Sequence, residues 1–174
     1  LIKDGQVDGV DVSGITSGKI LQVVQTTEDT AYSNGGSSYT SVLSTSITPS
    51  ATTSKVLILV SAHFSMSTDT YGGATLLRGG TEISKSTQTS GGGNANQYTV
   101  PINNRSGDAQ WEARTISINF LDTPSTTSAI TYKLQVIGEG SNTNIYVNRT
   151  EHDGDGSDKF RFASSMLAME VAAW

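Results

Sequence analysis

The sequence predicts an all-β protein: an antiparallel jelly-roll β-sandwich of about eight strands with a short extended N-terminal arm. Three observations predict it. The 174 residues include 18 glycines and only 16% charged residues, a composition that suits many strands joined by tight turns. No stretch carries a helical period of any length. Alternating apolar and polar runs recur instead, separated by Gly, Ser, Thr and Pro clusters. A single closed barrel satisfies the same pattern. The first and last strong runs are both apolar, and their pairing in the middle of one sheet would bring the two termini together.

Residues 1–18, LIKDGQVDGVDVSGITSG, form the arm or stalk, and residues 19–174 the jelly-roll domain. Val7, Val10 and Val12 lie scattered among Asp4, Asp8, Asp11 and glycines, too little apolar surface for an independent core. A frayed terminus fits equally. Lys19–Thr27 is the first strand, Glu28–Ser38 a loop, and Tyr39–Thr48 a half-exposed strand. Pro49–Ser54 is a turn, because Pro lacks the ladder donor and Ser and Thr compete for backbone bonds.

The central strand is Lys55–Met66. Val56, Ile58, Val60, Ala62 and Phe64 share one face, and Leu57 and Leu59 lie on the other. It is expected to be buried on both faces at its start and on one at its end. Ala74–Arg78 and Thr81–Ser84 flank a Gly79-Gly80 hairpin turn. Lys85–Glu112 is the least regular region, with a short strand near Tyr98–Ile102. Ala113–Leu121, Ala129–Ile137 and Asn144–Arg149 are further strands. Thr150–Lys159 is an acidic loop. In the closing stretch Phe160–Trp174, Leu167, Met169 and Val171 alternate against Ala168, Glu170 and Ala172.

Composition also excludes functions. With no cysteine, disulfides, thiol chemistry and cysteine-ligated zinc are absent. The net charge of −5 argues against a nucleic-acid partner. No stretch approaches the ~20 apolar residues of a membrane helix, and no signal peptide is visible. A start at Leu1 rather than Met fits a fragment or a processed product.

Gly14–Lys19 invites comparison with a phosphate loop, but the spacing is short by one residue and Ile20 follows the Lys. Asp153, Asp155 and Asp158, with Glu151 and His152 beside them, form the candidate metal site. Several carboxylates on a tight glycine-containing loop suit calcium, and the same residues suit a solvated acidic turn. Only His63 and His152 are available as bases, and no nucleophile elbow occurs, so the sequence reads as non-enzymatic. His63 fits a packed sheet or a subunit contact. The long loop Thr87–Glu112 is the candidate binding segment. Asn94, Asn96, Asn104 and Arg105 offer hydrogen bonds, and Tyr98 and Trp111 offer stacking surfaces suited to glycans. Packing against a neighbouring subunit is its alternative use. Two N-glycosylation patterns, at Asn104 and Asn148, are read as chance.

Several segments, in order, resemble a known family. They are Gly18–Gln25, Ser46–Ser50 leading into Ser54–Leu57, Leu77–Thr81, Phe120–Pro124 followed by Thr127–Lys133, Val147–Arg149, and Ser165–Val171. Together they are similar to the β-rich virion structural and tail-fibre domains of phages of aquatic bacteria, over roughly residues 18–172. The resemblance implies a non-enzymatic virion protein, a trimeric jelly roll of the tumour-necrosis-factor-like kind at a fibre tip. Its implied partners are itself, other virion proteins and host surface glycans, and it carries no catalytic motif and no cofactor. A capsid decoration protein and a carbohydrate-binding module with a calcium-stabilised loop are the alternatives. Trimer contacts are expected where apolar residues occupy both faces, at Lys55–Leu59 and near Ala168, Ala172 and Trp174.

Overall fold

In the computed structural model the described residues are 6–7, 10–11, 19–35, 38–67, 70–87, 96–104, 111–139 and 143–173. They contain no α-helix and two antiparallel sheets packed as a sandwich, consistent with a jelly roll. The strands are β1 (Gln6–Val7), β2 (Val10–Asp11), β3 (Ile20–Glu28), β4 (Tyr32–Gly35), β5 (Thr40–Ile47), β6 (Lys55–Met66) and β7 (Thr70–Arg78). They continue as β8 (Thr81–Glu82), β9 (Val100–Asn104), β10 (Arg114–Asp122), β11 (Ile130–Glu139), β12 (Asn144–Val147) and β13 (Ser164–Val171). β1 and β2 pair only with each other.

The first sheet runs β3-β13-β6-β12-β4, and β10 lies on the opposite side of β6 from β13. The second runs β5-β11-β7-β8, with β9 beside β8 on β7. Among the described residues no ladder joins the two sheets, so the barrel alternative does not apply. β6 is central, as its length and alternation require. Ile58, Val60 and Phe64 face Leu76, Tyr132, Leu134 and Val136 of the second sheet in one continuous core.

Several expectations are corrected. β3 and β13 do pair, but β3 is an edge strand rather than the middle of its sheet. The ends of the sandwich still meet, since the Ala172 amide donates to the Lys19 carbonyl at 2.9 Å. β6 is buried on both faces at its end, over Phe64–Met66, and not at its start, where Leu57 and Leu59 are only half-buried. In β13 the buried face carries Ser164, Met166, Ala168 and Glu170, while Leu167, Met169 and Val171 point outward. Ala168 is therefore core rather than contact surface, and Trp174 lies outside the described residues. β4 lies within the expected 28–38 loop and exists by pairing with β12.

Two polar clamps tie the layers. Asp122 of β10 accepts from Tyr132 Oη at 2.7 Å and from Arg78 Nη1 at 3.0 Å, joining the first sheet to the second. Burial pushes the Tyr132 hydroxyl well above its ordinary value, and the bond to Asp122 adds to this. Glu170, 1% exposed, accepts from the Ser50 amide at 2.7 Å, Ser50 Oγ at 2.6 Å and Gln22 Nε2 at 2.6 Å. The turn after β5 is thereby pinned to β13 and β3. At the β7–β8 turn Gly79 has φ +60°, which glycine adopts without a Cβ clash.

Candidate functional site

The binding residues expected between 87 and 112 separate in space. Val100–Asn104 joins the second sheet through β7, whereas Trp111 leads into β10 of the first. Tyr98 is committed to packing. Its ring lies on Gly73, where any Cβ would overlap it, and its hydroxyl donates to Glu139 Oε1. Burial pushes the pKa of its hydroxyl up first, and the Glu139 carboxylate pushes it further. Asn96 is exposed. Asn94 and Arg105 lie outside the described residues, as does the side chain of Asn104.

Trp111 meets the acidic loop instead. Its ring packs edge-on against His152, with centroids 4.5 Å apart, and Lys159 Nζ sits 4.4 Å from its ring centroid. The two candidate segments, some 40 positions apart in the chain, thus form one corner of the sandwich. A cation over an indole face is held by the ring quadrupole. Trp111 remains 37% exposed, and Phe160 nearby in sequence is 48% exposed. Below the corner, Arg149 lies over the Tyr146 ring at 4.6 Å and donates to the carbonyls of Thr150 and Glu151 at 3.2 and 3.1 Å. Tyr146 Oη donates to Glu151 Oε1 at 3.2 Å.

The three metal candidates are engaged differently. Asp153 accepts from the Gly154 amide at 2.9 Å and pairs with Arg161 and with Arg149, the latter at 3.3 Å. The amide bond, then the two guanidinium groups, hold its carboxyl below the ordinary range. Asp158 pairs with Lys159 Nζ at 2.6 Å, which lowers it likewise. Asp155 is exposed. Among the described residues no three His, Asp or Glu side chains gather closely enough to hold a metal ion. The carboxylates of Asp153 and Asp158 pair with the protein's own cations.

His63 is hydrogen-bonded through Nδ1 to Thr115 Oγ1 at 2.9 Å and stacks on Phe162 at 5.4 Å. Beside it, Asn148 is fully buried at φ +56°. Its Nδ2 donates to the carbonyls of Glu28 and Thr30 at 2.8 and 3.2 Å, and its Oδ1 accepts from Ser164 Oγ at 2.5 Å. The side chain of Asn148, in the second glycosylation pattern, is therefore a buried structural junction. A shallow polar groove of about 210 Å³ opens beside β3 and β5, lined by Thr26, Glu28 and Ser41–Ser44, without an aromatic platform.

Sequence reasoning missed Lys159 as a partner of Trp111, and Glu170 as a junction. The one legible trace of Glu170 is a lone acid on the alternating run Ser164–Val171. The Trp111–Lys159 contact leaves no trace, because it depends on how two loops meet.

No protein-family model matches the chain, and no curated protein matches it. Solved structures to which it is similar include infectious bursal disease virus strain Gx, at 18% identity and TM-score 0.43, covering 87% of this chain and 37% of that one. Strain Gt gives 16% identity and TM-score 0.42, covering 88% and 39%. The VP2 subviral particle of that virus gives 16% and 0.36, covering 87% and 38%. The chain thus spans well under half the length of these structures' chains, and the likeness is loose.

Proposed function

We propose that the chain is a non-enzymatic virion structural domain of a phage, a trimeric fibre-tip jelly roll that binds host surface glycans at the Trp111 corner. The observation that carries the reading is the placement of the family-like segments. Over their described residues they fall, in chain order, on strands and turns of one two-sheet sandwich, the architecture the resemblance implies. The strongest polar groups fit a structural role. Glu170, Asp122 and Asn148 spend their hydrogen bonds on holding strands and turns together. The corner offers what sugar recognition uses: a partly exposed indole beside charged and amphipathic groups on a rigid frame.

Two measurements test it. Mass spectrometry and immunogold labelling of purified particles are expected to find the chain at a fibre tip. Labelling over the capsid shell would make it a decoration protein, and its absence from particles would reject a virion role. Purified protein is expected to compete with phage adsorption, and Trp111→Ala to lose at least tenfold in competition with its assembly unchanged. Unaltered competition by Trp111→Ala would remove the corner as the recognition site.

A further inference from the structure

We infer that the outward face of the second sheet carries a site for a choline-type quaternary ammonium group, built by Tyr39, Tyr71, Tyr98 and Glu139. It shares no residue with the Trp111 corner and does not depend on the glycan reading. Strand registers place the four residues. Glu139 of β11 lies opposite Tyr71 of β7, and two residues earlier Ile137 lies opposite Gly73. On the other side of β11, Val136 pairs with Thr40, so Tyr39 comes beside Ile137. Tyr39, Tyr71, Ile137 and Glu139 thus share one face, the reverse of the side on which Val136 and Ala74 enter the core.

Tyr98 forms the floor. Its ring lies on Gly73 and its hydroxyl donates to Glu139 Oε1. The ring therefore runs diagonally from Gly73 towards Glu139, between Tyr39 and Tyr71. Those two are 45% and 46% exposed and stand on either side of it. Two strand spacings and one two-residue step separate them, about 12 Å between Cα atoms. Burial first, then the bond and charge of Glu139, push the Tyr98 hydroxyl up, and Tyr39 and Tyr71 push it further. The three hydroxyls therefore stand near one another, and Tyr98 keeps its proton on the side of Glu139.

This set attracts a cation. The faces of aromatic rings carry negative potential and hold an ammonium within about 6 Å of the ring centroid. A group seated over Tyr98, between Tyr39 and Tyr71, is flanked by all three rings. Glu139 supplies the counter-charge. Among the described residues no Lys, Arg or His forms an ion pair with it. Lys85, which also neighbours Tyr39, is paired with Glu82. The chain's net charge of −5 draws cations the same way. A primary ammonium is strongly hydrated and needs several acceptors, and one Glu139 oxygen is already taken by Tyr98. A quaternary ammonium has no donor to satisfy and turns methyl groups to the rings. A neutral sugar ring fits the same platform without needing the charge, and the test separates the two.

The test is ligand-observed NMR on the full chain, titrating choline chloride and following saturation transfer from the protein to the choline methyl protons. Wild type is expected to bind saturably. The neutral analogue with carbon in place of nitrogen is expected to bind at least about tenfold more weakly. Tyr39→Leu and Tyr71→Leu, both at exposed positions, are each expected to weaken choline at least about fivefold. Glu139→Gln keeps an acceptor for Tyr98 and removes only the charge. It is expected to lose at least about fivefold with an unchanged β circular-dichroism spectrum. Trp111→Ala is expected to bind choline as wild type does. No saturable transfer to choline in folded wild type overturns the site. Equal binding of choline and its neutral analogue, or undiminished binding by Glu139→Gln, overturns the cation and leaves a neutral platform. If Glu139→Gln does not fold, the comparison of the two ligands on wild type decides. Loss of choline binding in Trp111→Ala alone moves the cation to that corner and overturns this site, with the glycan reading untouched. Phosphatidylcholine vesicles name the source. Co-sedimentation that free choline competes away assigns a lipid headgroup, and vesicles left unbound by a chain that binds choline assign a soluble ligand. Preference for a trimethyl-lysine peptide over choline would make the partner a protein and overturn the choline assignment.

Discussion

Glu170 gives the sharpest test of how the sandwich is held. Burial alone pushes its carboxyl up, but bonds from Ser50, Ser54 and Gln22 outweigh that and bring it from an ordinary 4.5 down to about 2. A value depressed on folding contributes stability above the unfolded value and loses it as pH falls towards the folded one. The contribution is therefore whole above about pH 4.5 and gone near pH 2. The difference corresponds to about 3 kcal/mol at most. Glu170 lies just beneath the surface, where solvent screening reduces this to about 2 kcal/mol. Glu170→Gln also turns an amide NH₂ towards donors that need an acceptor. Urea unfolding of both proteins from pH 7 to pH 2 reads the difference directly, because every other carboxyl titrates in both and cancels. The variant is expected to be about 2–3 kcal/mol less stable at pH 7, with the gap closing between about pH 4.5 and pH 2. A gap that does not change with pH, or no gap at all, would refute the reasoning.

Three further outcomes follow from single contacts. Gly73→Ala places a methyl in the Tyr98 ring, so a loss of about 1–3 kcal/mol is expected, with faster hydrogen exchange over residues 96–104. Asn148→Ala leaves the Glu28 and Thr30 carbonyls and Ser164 without their partner, at about 2–3 kcal/mol in chemical denaturation. Tyr132→Phe removes one of the bonds to buried Asp122 and is expected to lower stability by about 1–2 kcal/mol.

Most of the frame was legible along the chain, because a strand with one buried face must alternate and a turn must use residues that tolerate it. β6 spans the residues its apolar run marked, and the Gly79-Gly80 turn and the β10, β11 and β13 strands lie within a few residues of where alternation put them. Strands without such a signature were illegible. β4, Tyr-Ser-Asn-Gly, has turn composition and is a strand only because β12 supplies its ladder. Alternation also cannot say which face of a strand is inside when both carry apolar residues. Leu167, Met169 and Val171 form the more apolar side of β13, yet the opposite side packs inward, with Glu170 accommodated by donors from Ser50 and Gln22. The candidate site shows the same division. Its residue types were visible, but which of them meet was not. The long loop parts between two sheets, so that Tyr98 closes over Gly73 while Trp111 reaches His152 and Lys159. The sequence by itself determined the all-β class, the central strand and the polar turns, since these depend on neighbours two positions apart. Only the tertiary structure decided the inward face of β13 and the pairing of Asp153 and Asp158 with the protein's own cations, since each depends on residues brought together across sheets and loops.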